Sequence, residues 1–209
     1  MPRPRYQWRQ LTKAGRDEVL SSRKSKGFPW HSPPHRRSGD PVNANLYHVT
    51  AACYEHLPII GSSSARMDAF SFELQDVINR CGGRCSAWCV LPNHYHALVD
   101  SSDVIALLRE LGRLHGRSSH AWNGEDGKRG RKVFFRAAER SMRSDRHVWA
   151  TLNYIHNNPV RHGYVDKWLE WPWSSAREYI SQVGREEAAR IWQSFPIRRY
   201  GDGWDDPEL

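Results

Sequence analysis

The stretch that most limits what this chain can fold into is Ala87-Trp-Cys-Val-Leu-Pro-Asn-His-Tyr-His-Ala-Leu-Val99. An apolar run meets a Pro92-Asn93 turn and continues into a second apolar run that opens with two histidines. This predicts two antiparallel strands, about Arg84–Leu91 and Tyr95–Ser101. Residues two apart on a strand share a face, so His94 and His96 lie side by side and Tyr95 points to the other face. Alone, a His-x-His pair is more often two ordinary strand residues than half of a divalent-metal site.

The flanking segments supply the remaining elements. Leu46–Tyr54 is β-rich and reads as a strand. A helix is expected over about Ala65–Cys81, with Met67, Phe70, Phe72, Leu74, Val77 and Ile78 as its apolar stripe and Gly82-Gly83 as its stop. Asp103 caps a second helix to about Trp122, followed by a Gly-rich basic loop over Asn123–Gly130. Lys132–Ala138 reads as a last strand. The order β-α-β-β-α-β predicts an α+β, ferredoxin-like fold, with a four-stranded antiparallel sheet and both helices on one face. In the usual order 4-1-3-2 the histidine strand is central, and its other face is expected to be an open floor for a ligand.

Next comes a helix capped by Ser144 or Asp145 and expected to end at Asn158, because Pro159 disfavours helical geometry before it. Tyr154 and Asn158 are four apart on that helix and share a face. Beyond it lie the Trp171-Pro-Trp-Ser-Ser175 run, a short helix near Arg185–Trp192 and an acidic tail. The boundaries implied are an N-terminal arm over 1–45, a main domain over 46–179 and a C-terminal extension over 180–209. Within the arm, a short helix over Thr12–Ser25 would be capped by Thr12.

Charge narrows the partner. The chain has 209 residues, a net charge of +8, a pI near 9.6 and a mean hydropathy of -0.76. Residues 1–40 carry ten Lys/Arg against three acids, and 128–146 carry eight against two. Basic segments interleaved with aromatic residues suit a nucleic acid. Arg131, Lys132, Arg136, Arg140, Arg143 and Arg146 precede the tyrosine helix and are candidate phosphate contacts. No apolar run reaches membrane-spanning length, and no signal-like segment opens the chain. Cys53, Cys81, Cys85 and Cys89 lack zinc-knuckle spacing, so reduced thiols in a cytoplasmic, nucleoid-associated protein are expected.

Several motifs together resemble a known family. Pro92-Asn-His94-Tyr-His96-Ala-Leu-Val looks like the HUH motif of single-tyrosine transposases. Asn153-Tyr154-Ile-His-Asn-Asn158-Pro-Val-Arg-His-Gly163-Tyr-Val resembles their tyrosine-helix signature. Trp171-Pro-Trp-Ser-Ser175, Tyr47-His-Val-Thr-Ala-Ala-Cys-Tyr54 and Glu139-Arg-Ser-Met-Arg143 resemble the branch called REP-associated tyrosine transposases. The likeness covers about Leu46–Tyr179. One departure is Tyr95 in the middle of the HUH triplet, where an aliphatic residue is usual.

The resemblance implies Tyr154 as a nucleophile that cleaves and rejoins single-stranded DNA through a 5′-phosphotyrosine. It implies His94, His96 and Asn158 as ligands of Mg²⁺ or Mn²⁺. It also implies a hairpin-forming repeated palindrome as substrate, and a monomer or a homodimer. The alternatives are a catalytically silent hairpin-binding regulator on the same fold, or a replication initiator or relaxase sharing the chemistry.

Overall fold

The computed structural model describes residues 45–197 together with positions 12, 14, 15, 18, 21 and 25. The described positions from 14 to 25 are helical, and the Gly15 N–H donates to the Thr12 hydroxyl at 3.2 Å, as the expected cap requires. The rest of the N-terminal arm and the acidic tail lie outside the described residues.

Four strands and two helices form the core unit in the expected order. They are β1 (Leu46–Ala52), α1 (Ser64–Arg80), β2 (Arg84–Val90), β3 (His94–Asp100), α2 (Val104–Glu125) and β4 (Ala138–Ser141). The sheet order is β2-β3-β1-β4, all antiparallel, which makes β3 central. Each helix starts where a side chain accepts an otherwise orphaned N–H. Ser63 accepts from Arg66, and Asp103 accepts from Ala106 at 2.9 Å.

Helices α1 and α2 bury their apolar stripes on one sheet face, except that Phe72, expected in the α1 stripe, lies two positions from both Phe70 and Leu74, off their face of the helix, and is 72% exposed. Tyr95 lies fully buried on that sheet face. Its ring is 5.7 Å from Phe70 and its hydroxyl is 3.1 Å from His115 Nε2. His115 stacks on Phe134 at 4.2 Å, and burial pushes its pKa down to about 4. Below pH 6.5 the unfolded chain protonates this histidine, while the folded chain does so only near pH 4. Stability present at neutral pH is therefore lost as pH falls through that window, by on the order of a few kcal/mol. Urea midpoints at pH 7 and pH 4.5 check this, and the loss is expected to shrink in His115→Asn.

The opposite face is not the open floor expected. Helix α3 (Asp145–Arg161), capped by Ser144, lies over β2 and β3, so the central histidines end up buried. The helix also runs past Asn158. Pro159 sits inside its last turn, and the His162 N–H donates to the Asn158 carbonyl at 3.0 Å. Burial of both residues and this closing turn outweigh the local penalty of the X-Pro step.

The last strand is displaced as well. Residues 132–137 touch the sheet through an isolated bridge between Cys53 and Phe134, and the ladder with β1 forms over Ala138–Ser141. Helix α2 extends three residues beyond Trp122 into the expected loop. Two short helices follow α3, namely α4 (Ala176–Val183), which the sequence pattern does not announce, and α5 (Arg185–Ser194).

The Trp171–Ser175 run pairs with β2. The Val90 N–H donates to the Trp173 carbonyl at 2.9 Å, and the Ser175 N–H donates to the Trp88 carbonyl at 3.0 Å. The Trp171 indole N–H donates to the Val90 carbonyl at 2.9 Å. Ser175 Oγ accepts from the Trp88 N–H and lies 2.9 Å from His156 Nε2. Burial lowers the pKa of His156 to about 3, so it packs as a neutral ring. Ser175→Ala strips two buried groups of a partner and is expected to cost about 1–3 kcal/mol, read as a drop of several degrees in thermal midpoint.

Candidate active site

The strand parity of β3 sends His94 and His96 to the α3 face, and the register of β1 adds His48 beside them. The 3.6-residue period of α3 stacks Tyr154 and Asn158 along its inner face. The two elements meet residue for residue. The Tyr154 ring lies 5.2 Å from His96 and 6.1 Å from His48, edge-on to both. Asn158 Oδ1 lies 3.0 Å from His94 Nε2. Tyr154 and Asn158 are fully buried, and His94 and His96 are 2% and 1% exposed. The sequence thus singles out four residues that the fold brings together within one chain.

The turn orients His94. The Asn93 side-chain amide donates to the His56 carbonyl at 3.2 Å, which fixes Asn93 Oδ1 as an acceptor. His94 Nδ1 lies 2.8 Å from that oxygen and therefore carries its proton there. Glu55 and His56 both have positive φ, 56° and 50°, and this left-handed pair aims the His56 carbonyl at Asn93. Gly61 packs directly on Pro92, where a Cβ would collide with the ring, and its N–H donates to the Pro92 carbonyl at 2.9 Å.

In the tautomer with its proton on Nδ1, His94 turns an Nε2 lone pair toward Asn158 Oδ1. Two acceptors then face each other at 3.0 Å, while Asn158 Nδ2 is buried without a hydrogen-bond partner. Turning the amide over only moves the orphan to the oxygen. Such an orphan costs about 1–3 kcal/mol unless a cation takes up the facing lone pairs. A separation of ~3.0 Å is also what adjacent octahedral ligands of a small divalent ion adopt, each about 2.1 Å from it. His48 Nε2 lies 3.1 Å from His96 Nδ1, and in the tautomer in which His96 Nδ1–H donates to His48, His96 Nε2 is a lone pair. The donor set His94, His96 and Asn158 thus fits a divalent cation. Among the described residues no group of three His, Cys, Asp or Glu is placed to hold one, so the asparagine is needed to complete the set.

Four residues around this centre fall within the quoted motifs without being given a site role there. They are His48, Asn93, Arg161, whose guanidinium lies 5.8 Å from the centre of the Tyr154 ring, and His162, whose ring lies 5.0 Å from His94. Arg161 carries a sequence signal, since it lies seven residues beyond Tyr154 on the same helix face. His48 lies in the Tyr47–Tyr54 motif, but its place beside the site depends on the register between β1 and β3.

The candidate phosphate contacts separate into two groups. Arg140 lies across from His48 in the sheet register. Together with exposed Arg143 and Arg146 it flanks the start of α3. His147 in that first turn is shifted down by burial and then by Arg140 and Arg143. Arg131, Lys132 and Arg136 instead line a cleft against α2, on the far side of the sheet from Tyr154. Arg131 is held there by Asp126 at 2.7 Å and by Asn123 at 2.9 Å.

No family model matches the chain. A Haemophilus influenzae protein assigned by name to the REP-associated tyrosine transposases is 29% identical over 99 residues, covering 43% of this chain and 56% of that protein. The chain therefore spans about half the length of the curated relative it matches. A solved structure described as a REP-associated tyrosine transposase bound to a REP hairpin superposes with a TM-score of 0.53 at 18% identity, over 70% of this chain and 86% of that one. A Deinococcus radiodurans R1 protein assigned as a transposase gives 0.38 at 18% identity, over 54% of this chain and 88% of its own. In local sequence the chain is thus similar to one protein named as a REP-associated tyrosine transposase, and in fold it is similar to another.

Proposed function

We propose that this protein cleaves and rejoins single-stranded DNA next to a hairpin, with Tyr154 as nucleophile. The observation that carries this reading is the pairing of α3 with β3, in which Tyr154 faces His96 at 5.2 Å while Asn158 faces His94 at 3.0 Å. The Tyr154 oxygen attacks phosphorus and the P–O3′ bond breaks. The 3′-oxygen leaves as a hydroxyl, gaining one proton as the phenol loses one. The tyrosine then carries the 5′-phosphate, so the bond energy is kept and the strand can be resealed without a nucleotide cofactor.

His94, His96 and Asn158 would hold Mg²⁺ or Mn²⁺, which when bound polarises the phosphate oxygens and offsets their charge. Asn93 and His48 orient the two imidazoles. Arg140, Arg143 and Arg146 draw the backbone toward the start of α3. A phosphate cannot touch a phenol with no exposed surface, so DNA entry requires α3 to lift from β3.

The test incubates the protein with Mn²⁺ and an end-labelled hairpin carrying single-stranded flanks, followed by a denaturing gel. A labelled band at protein-plus-DNA size is the expected result. The complete burial of Tyr154 favours one second reading, a hairpin-binding regulator that does no chemistry. Salt-dependent binding with no adduct under any divalent ion would select it.

A further inference from the structure

Beyond the buried Pro159, α3 makes one more turn and ends on Arg161. Three hydrogen bonds keep that turn wound. The His162 N–H donates to the Asn158 carbonyl at 3.0 Å, the Gly163 N–H to the Val160 carbonyl at 2.9 Å and the Tyr164 N–H to the Pro159 carbonyl at 2.9 Å. Gly163 closes it at a φ of 68°, where a larger residue would be strained. Arg161 thus stays in register with Tyr154, two turns earlier on the same face. Helical side chains lean toward the N-terminus, so Arg161 reaches back over the phenol, and its guanidinium lies 5.8 Å from the ring centre. Arg146, about 12 Å before the tyrosine along the helix axis, leans away from it. Arg161 is exposed while Tyr154 is fully buried, so the guanidinium stands on the solvent side of the ring.

We propose that Arg161 is a further catalytic residue, the cation that grips a non-bridging oxygen of the scissile phosphate as Tyr154 attacks. The proposal rests on the cleavage reading above. The phosphoryl group keeps both non-bridging oxygens through the displacement, and the guanidinium hydrogen-bonds to one of them without giving up a proton. Arginine suits this place, because its charge is permanent and its planar fork matches a phosphate. Nucleophile and cation ride on one hydrogen-bonded helix. Their spacing therefore survives the lifting of α3 that DNA entry requires, whereas the spacing of Tyr154 to β3 does not. The turn past Pro159 gains a use as well, since a helix ended at Asn158 would leave Arg161 out of line with the tyrosine.

The experiment measures single-turnover cleavage of a flanked hairpin in Mn²⁺ by the unmodified protein, Arg161→Gln and Arg161→Lys. One substrate carries the ordinary phosphodiester at the mapped cut position, and the other carries an uncharged methylphosphonate there. On the phosphodiester, Arg161→Gln is expected to lose about 10²–10³-fold in rate, and Arg161→Lys less because it keeps the charge. On the methylphosphonate, which offers no charge to the arginine, Arg161→Gln and the unmodified protein are expected to agree within about threefold. A loss of equal size on both linkages makes Arg161 a packing residue and overturns the proposal, as does no loss on the phosphodiester.

If the unmodified protein forms no adduct, binding decides. A methylphosphonate is then walked along the flank one linkage at a time, with Kd read by fluorescence anisotropy. One linkage is expected to weaken binding about fivefold in the unmodified protein and not in Arg161→Gln. Such a linkage without an adduct removes the chemistry and keeps the phosphate contact, and the lack of one removes the contact. An adduct whose rate ignores Arg161 removes only this proposal.

Discussion

Tyr154→Phe is expected to abolish the covalent DNA adduct, with cleavage falling at least about 10⁴-fold while hairpin binding stays within a few-fold. The substitution keeps the ring that packs edge-on to His96 and His48 and removes only the nucleophilic oxygen. Its cost in stability is therefore expected to be small, about 1 kcal/mol. Adduct and nicked product are read on the denaturing gel, and binding is read by anisotropy in the same buffer. An adduct formed by Tyr154→Phe would move the nucleophile to another residue. The other tyrosine hydroxyl near the sheet centre, Tyr95, is buried on the opposite face against His115.

The second large effect concerns the divalent ion. Chelation is expected to stop cleavage, and His96→Ala to lower it about 10²–10³-fold at saturating Mn²⁺, the scale of a missing contribution of a few kcal/mol to phosphate charge stabilisation. Asn158→Ala should act in the same direction and also relieve the facing acceptors at His94. Its thermal midpoint without metal is therefore expected to hold or rise, although a fully buried side chain is removed. Raising the midpoint of the unmodified protein with Mn²⁺, but not that of His96→Ala, ties the ion to this site by linkage. Cleavage at full rate in chelator would exclude the ligand assignment.

Much of the fold is legible in the sequence because its signals are local. Pro92-Asn93, Gly82-Gly83, Ser63 and Asp103 mark turns and caps, and the apolar periods of α1 and α2 are clear. What the sequence hides is settled by pairing. Lys132-Val-Phe-Phe has the composition of a strand, yet Phe134 serves the α2 layer, and the ladder forms one step later in polar Ala138–Ser141. Pro159 looks like a helix end because its local preference is all a sequence displays, whereas the buried contacts that carry the helix to Arg161 come from β3. The histidine face looks open for a related reason. Polar residues on a strand suggest solvent, and only the docking of α3 shows that their partners are a tyrosine and an asparagine some sixty residues on. Within the candidate site, residues on a regular period are legible, and those placed by register or by the geometry of the turn are not.

The Trp171–Ser175 run has one more consequence. In the order β2-β3-β1-β4 the strand β2 is outermost, and an outermost strand offers a row of unsatisfied N–H and C=O groups to any passing chain. Here that row is occupied from within at Trp88 and Val90. The same segment that steadies the tyrosine helix through Ser175 and His156 thus acts as a built-in plug against sheet-to-sheet growth between copies. A chain ending at Glu170 would lose both functions at once, becoming less stable and more adhesive along the same strand.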